Sequence, residues 1–330
     1  MTLAFLDPPA SLPVRQPDPP QPGIARDITY AHSAASRPGQ AFIRLTENAT
    51  GRLSLIRRAA GYQDEVAQGR DFWRVMTERF GLRLDVVSGA LGEIPASGPL
   101  VVVANHPFGI LDGLVLGHIL SGTRRGDFRI MAHQVFRRAP ELERVILPID
   151  FAGTRSAIEA NLASRTAAIR YLQQGGAVGI FPGGTVSTAP GPFGRPMDPV
   201  WRSFTARMIR KSGATVVPIW FDGANSRLFQ ISSHLNTTLR MSLLIREFRR
   251  RIDSPVRLAI GAPISPEEIA AGSGDGHEVM DFLRRRTYAL ARDSLDPGLI
   301  GHEFERHHRR EGQGHGGRRF RFRAWRADGS

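Results

Sequence analysis

Val101-Val102-Val103-Ala104-Asn105-His106-Pro107-Phe108-Gly109-Ile110-Leu111-Asp112-Gly113 is the stretch on which the reading of this chain turns. Its unbroken apolar run fits a strand buried on both faces, the mark of a parallel sheet. The run stops at Asn105-His106. Pro107 disfavours the helical region for the residue before it, which places His106 at the carboxyl end of the strand. Asp112 falls early in the helix expected next, where its carboxylate can curl back onto one imidazole nitrogen. Such a carboxylate fixes the tautomer and stabilises the imidazolium, as general-base chemistry requires. Taken without its neighbours, the same pair also fits a hydrogen-bonded loop histidine.

Outward from this stretch, strand and helix signals alternate. Short apolar strands read at Leu100–Ala104, Phe128–Met131, Val145–Ile149, Ala177–Phe181, Thr215–Trp220 and Val256–Ile260. Ser156 to Gln173 places Ile158, Leu162, Ile169 and Leu172 at helical spacing and ends at Gly175-Gly176, a natural stop. Asp198-Pro199 reads as an N-cap and first helical residue, with Val200, Trp201, Phe204 and Met208 as that helix's buried stripe. Pro218, inside a strand signal, marks an edge or a bulge. Thr46 to about Val86 reads as one or two amphipathic helices. The expected fold is α/β: a mostly parallel central sheet flanked by helices, with ligands beyond the carboxyl ends of the strands. Residues 1–45 read as a proline-rich disordered lead, 46–300 as one domain and 301–330 as a basic Arg/His/Gly tail.

Composition narrows the chemistry. The 330 residues are 41% hydrophobic, enough for one large domain with a substantial core. Cysteine is absent, which excludes disulfides, thiolate nucleophiles and Cys-bearing zinc sites. The net charge is +13 and Lys211 is the only lysine, so the basicity is almost wholly arginine and points to an anionic partner. No run reaches the roughly 18 apolar residues of a membrane-spanning helix. Leu239, Met241, Leu243, Leu244, Ile245 and Phe248 alternate with Arg240, Arg246, Arg249, Arg250 and Arg251. That pattern fits either a basic amphipathic helix on an anionic surface or a core-facing helix with a solvated arginine face. Arg318-Arg319-Phe320-Arg321-Phe322-Arg323 fits a solvated basic tail, an RNA contact or a lipid-interface contact.

Phe181-Pro182-Gly183-Gly184-Thr185-Val186-Ser187-Thr188 follows another strand signal. Its glycines expose backbone N–H groups beside three hydroxyls, suiting an anionic or polyhydroxyl headgroup, although an ordinary glycine turn has the same makeup. Together with Asn105-His106 through Asp112, with Arg137-Arg138-Ala139-Pro140-Glu141-Leu142 running into Ile146-Leu147-Pro148-Ile149-Asp150, and with Val217-Pro218-Ile219, it makes four ordered blocks. In these blocks the chain resembles the phospholipid/glycerol acyltransferase superfamily, whose best-known members are lysophosphatidate acyltransferases. Asn-His-Pro-Phe-Gly and Asn225-Ser226-Arg227-Leu228-Phe229 are similar to a bacterial branch often labelled hemolysin-like. The likeness covers about residues 70 to 265. Two departures stand out. Five residues separate His106 from Asp112 where the family usually has four, and Gly109 is suited to absorb the extra one. The third block has Gly183 and Val186 where the family usually has Glu and Arg.

The resemblance implies transfer of an acyl group from acyl-CoA or acyl carrier protein to the hydroxyl of a lyso-lipid. His106 would act as general base, Asp112 as its orienting acid, and helix-start amides after His106 as oxyanion donors. Asn105, Phe181, Pro182, Gly183, Gly184, Thr185, Ser187, Arg137 and Arg138 are the expected substrate-binding residues. Loss of the block's Glu and Arg leaves room for a lyso-aminolipid, such as a lyso-ornithine lipid, as well as lysophosphatidate. A channel for an acyl chain should adjoin His106. The resemblance implies no cofactor beyond the thioester co-substrate, no metal, membrane lipids as partners, no nucleic acid, and a cytoplasmic location peripheral on the inner membrane. The alternative it leaves open is a catalytically inactive lipid-binding member of the same superfamily.

Overall fold

Seven strands form one sheet in this computed structural model, which describes residues 29–34, 36–133, 140–150, 154–271, 274–293 and 295–304. They are β1 (Arg83–Ser88), β2 (Leu100–Ala104), β3 (Arg129–His133), β4 (Ile146–Ile149), β5 (Ala177–Ile180), β6 (Thr215–Phe221) and β7 (Pro255–Ile260). Their spatial order is β1-β7-β6-β2-β5-β3-β4, and all neighbours are parallel except β6 with β7. The helices are α1 (Arg37–Thr50), α2 (Arg52–Ala59), α3 (Tyr62–Ala67), α4 (Phe72–Arg79), α5 (Ile110–Arg124), α6 (Pro140–Glu143), α7 (Arg155–Gln173), α8 (Phe204–Ser212), α9 (Arg227–Leu235), α10 (Thr237–Arg249), α11 (Pro266–Ala271) and α12 (Gly276–Tyr288).

β2 shows why the apolar run reads as it does. Side chains alternate across a strand. Leu100, Val102 and Ala104 therefore pack with α4, α5 and α10, while Val101 and Val103 pack with α7, α8 and α12. Both faces are covered, and no polar position is tolerated until Asn105.

All six expected strands are present, and the sheet is mostly parallel as anticipated. The seventh, β1, lies in the stretch expected to be helical. Four short helices occupy residues 37–79 and the chain then turns into a strand. β1 is an edge strand paired only with β7, and its Arg83 and Asp85 are exposed, which hides the apolar alternation. The disordered lead is set too long at residue 45. Ser36 caps α1 by accepting from the Gly39 amide at 3.2 Å, proline sits in the first turn, and Ile43 is fully buried. Residues 1–28 and 305–330 lie outside the described residues.

Three further readings are corrected. The helix expected at Asp198-Pro199 begins at Phe204, because the Asp198 carboxylate is used elsewhere, as described below. Ile158 and Leu162 are exposed on α7 rather than buried. Pro218 is not at an edge, since β6 lies between β7 and β2. The β6–β7 ladder from Ile219–Ile260 would carry Val216 onto Pro263, yet Val216 bridges Ile264. One extra residue bulges at that point, where a residue without an N–H is accommodated.

Candidate active site

The carboxyl ends of β2, β5 and β6 meet on one side of the sheet. Asn105 joins two of them: its amide donates to the Phe221 carbonyl at 2.9 Å and accepts from the Phe221 N–H at 2.7 Å. Asn105 thus extends the β2–β6 pairing by one side-chain rung. His106 follows with its side chain 18% exposed. Its Nδ1 stands 2.9 Å from Asp112 Oδ2. Gly109 takes φ +96° and ψ −117°, a conformation reserved for glycine, and so absorbs the extra residue between them.

Asp112 is fully buried. Its Oδ2 also accepts from the Phe108 amide at 2.8 Å and the Gly109 amide at 3.0 Å, while Oδ1 has no hydrogen-bond partner among the described residues. Burial raises the carboxyl above the ordinary aspartate value, opposed by the His106 contact and the two amides. The amides of Phe108 and Gly109 are therefore committed to the carboxylate. With Nδ1 tied to Asp112, Nε2 is the imidazole nitrogen left for chemistry.

Phe181 stacks on the His106 ring, with centroids 4.2 Å apart and planes 22° from parallel. The turn after it is held internally: the Pro182 carbonyl accepts from the Arg202 amide and the Phe181 carbonyl from the Gly184 amide, both at 3.0 Å. Ser187 is buried, its amide donating to the His106 carbonyl at 2.7 Å. Within the block, Gly184 is exposed and Thr185 half-buried, so these two form its accessible edge. Arg137 and Arg138 lie outside the described residues.

Two charged groups complete the site, and neither was read as part of it. Asp198 is fully buried beside Gly183; a β-carbon on Gly183 would sit 3.3 Å from the Asp198 Cβ. Its Oδ1 accepts from the His106 amide at 3.2 Å and from the Ser187 hydroxyl, and its Oδ2 from Trp201 Nε1 at 2.9 Å. These contacts hold the His106 backbone, and they explain why Asp198 does not cap a helix.

Arg240, on α10, is also buried. Its Nη1 donates to Thr188 Oγ1 at 2.6 Å and Ser233 Oγ at 2.8 Å, and its Nη2 to Thr185 Oγ1 at 3.1 Å and the Val186 carbonyl at 2.9 Å. Burial pulls its pKa down to about 9. Leu243, Leu244, Ile245 and Phe248 of α10 are buried too, so this helix faces the core and is not an amphipathic surface helix.

Segments from both ends of the chain close over the loop. Tyr30 packs against Val186 and Leu244, and its hydroxyl is shifted upward by burial and by the negative charges of Glu47 and Asp112. Glu47 fixes this segment, accepting from the Tyr30 amide and the Thr29 hydroxyl, each at 2.6 Å. Gly301 N–H donates to the Asp198 carbonyl at 2.9 Å and His302 N–H to the Thr188 carbonyl at 3.0 Å, so the stretch assigned to the tail begins as part of the site's wall.

The channel expected beside His106 is not among the cavities described. One of about 50 Å³ lies behind the helix start, lined by Phe108, Leu111, Asp222 and Arg251 among others. Another of about 320 Å³ lies between α8 and α11. Among the described residues no three His, Asp or Glu side chains converge to hold a metal ion, and no helix is long and apolar enough to cross a membrane.

Known proteins bear on this arrangement. The chain is 27% identical over 207 residues to a lyso-glycine lipid O-acyltransferase of Phocaeicola vulgatus, covering 59% of this chain and 69% of that one. The crystal structure of the 1-acyl-sn-glycerophosphate (LPA) acyltransferase PlsC from Thermotoga maritima aligns with a TM-score of 0.44 at 17% identity, covering 78% of this chain and 100% of that one. A family model described as acyltransferase matches residues 55–298, a span that contains the whole sheet together with His106 and Asp112. The chain belongs to that acyltransferase family.

Proposed function

We propose that this acyltransferase moves a fatty acyl group from an acyl thioester, acyl-CoA or acyl carrier protein, to the hydroxyl of a lyso-lipid, with His106 as general base. The observation that carries this reading is the 2.9 Å contact of His106 Nδ1 with a buried Asp112 whose Oδ2 is fixed by two further amides. Nε2 takes the hydroxyl proton as the oxygen attacks the thioester carbonyl. The carbon–sulfur bond then breaks, and the thiolate leaves with that proton from the imidazolium. Base assistance of this kind is worth about 10²–10⁴ in rate. No acyl-enzyme forms, since the acceptor oxygen is itself the nucleophile.

A lyso-aminolipid is the preferred acceptor. Gly183 and Val186 stand where a glycerophosphate-type block has its Glu and Arg, and the curated relative is named for a lyso-glycine lipid. The protein works at the membrane surface, where such an acceptor resides. Purified protein given radiolabelled acyl-CoA or acyl carrier protein and a panel of lyso-glycine, lyso-ornithine and lysophosphatidate acceptors tests the proposal. The expected result is acylation of an aminolipid that His106→Ala abolishes. Vesicle binding without turnover on any acceptor overturns it in favour of an inactive lipid-binding member.

A further inference from the structure

Arg240 is a buried cation whose four described hydrogen bonds all go to neutral oxygens. Two aromatic rings stack near its guanidinium, Phe229 at 4.8 Å and Phe304 at 4.2 Å. A charge removed from water and left without a counter-ion is unfavourable unless something else compensates it.

The three hydroxyls that accept from this guanidinium differ in where their own protons go. A hydroxyl has one proton to donate and two lone pairs. Thr188 donates to the Val186 carbonyl at 2.9 Å, and Ser233 donates to the Phe229 carbonyl at 2.6 Å. Thr185 accepts from Arg240, and its proton has no acceptor among the described residues. It is also half-buried at the accessible edge of the loop, next to exposed Gly184 and four residues after the ring that stacks on His106. A hydroxyl whose lone pair is held by a guanidinium is a strengthened donor, because hydrogen-bond chains polarise one another.

We propose that Thr185 and Arg240 form a relay that recognises an anionic group of the lyso-lipid acceptor: the ligand's oxygen accepts the Thr185 proton, and the buried charge behind it is thereby matched. This rests on the acyl-transfer reading for the ligand's identity as an acceptor.

Equilibrium binding tests the relay independently of turnover. Full-length protein is titrated, below micelle-forming concentrations, with a short-chain N-(3-hydroxyacyl)glycine, with its methyl ester and with a short-chain lysophosphatidate. The free acid should bind at least tenfold more tightly than the ester. Thr185→Val should reduce that preference to within twofold, and Thr185→Ser should retain it. Thr185→Val is nearly isosteric, and its melting temperature reports any loss of fold. A tenfold preference for lysophosphatidate alone, also lost in Thr185→Val, supports the relay and assigns phosphate as the anion. Equal binding of all three ligands by the wild type, or an unchanged preference in Thr185→Val, overturns it. Turnover in the same samples separates the two ideas: an inactive but anion-selective protein sinks the acyl-transfer reading alone, and an active but unselective one sinks the relay alone.

Discussion

Nδ1 of His106 and Oδ2 of Asp112 stand 2.9 Å apart across a turn carrying one residue more than the family spacing, with Gly109 supplying the backbone angle that makes the contact possible. Asp112→Asn preserves an oxygen for the Phe108 and Gly109 amides but removes the charge that stabilises an imidazolium. We expect both Asp112→Asn and His106→Ala to lower kcat/KM by about 10²–10⁴ with the circular-dichroism spectrum unchanged. Activity within threefold of wild type in either variant excludes the pair from the chemistry.

Asp112 also ties stability to pH. Burial raises its folded pKa above the unfolded value, so the folded state binds this proton more tightly than the unfolded chain does. Its contribution therefore favours the fold at low pH and is lost as pH rises through the folded pKa. Wild type should gain stability relative to Asp112→Asn as pH falls through the window just above the ordinary aspartate value. Urea midpoints of the two proteins, measured at a series of pH values rising from the ordinary aspartate value, check the sign. A gain on raising the pH contradicts it.

The Asp198 carboxylate receives three donors: the His106 amide, the Ser187 hydroxyl and Trp201 Nε1. Leaving buried donors unpaired costs about 1–3 kcal/mol apiece. Asp198→Ala should lose about 3 kcal/mol or more in chemical denaturation and most of its activity, because His106 loses its backbone anchor. Asp198→Asn should recover part of the stability, although its amide nitrogen then faces a donor.

Two glycines of α5 predict opposite outcomes. A β-carbon on Gly117 would lie 2.2 Å from the Trp73 ring, so Gly117→Ala overpacks the core and should destabilise by roughly 1–3 kcal/mol. Gly122 is exposed and meets nothing within 4 Å, so Gly122→Ala should stabilise by about 0.5–1 kcal/mol through helix propensity. Thermal melts of the two variants, shifting in opposite directions, are the check.

The heart of the site was legible because its signals are local. An apolar run, a proline after the histidine and a carboxylate within a turn place His106 and Asp112 together with no knowledge of the rest of the chain. Asp198 was misread because Asp-Pro is also a helix-start signature, and its real partners arrive from residues 106 and 187. Arg240 was misread for a related reason. Arginines interleaved with leucines suggest a wet face, and only the fold reveals that Thr185, Thr188 and Ser233 hold oxygens ready for a buried guanidinium. β1 escaped notice because an edge strand with charged residues on one face lacks the density of apolar side chains that marks a buried one.

The sheet's order has a consequence for how the protein is made. β1 can pair only with β7, and β2, made early, waits for β5 and β6, so ribosomal synthesis leaves Leu100–Ala104 without neighbours until more than half the chain has emerged. Pairing between segments so distant slows folding and leaves apolar surface exposed in the meantime. His106 itself is anchored by contacts 92 residues downstream, and its neighbour Asn105 by contacts 116 residues downstream. A prematurely terminated translation product therefore carries the histidine but not the carboxylate that holds its backbone.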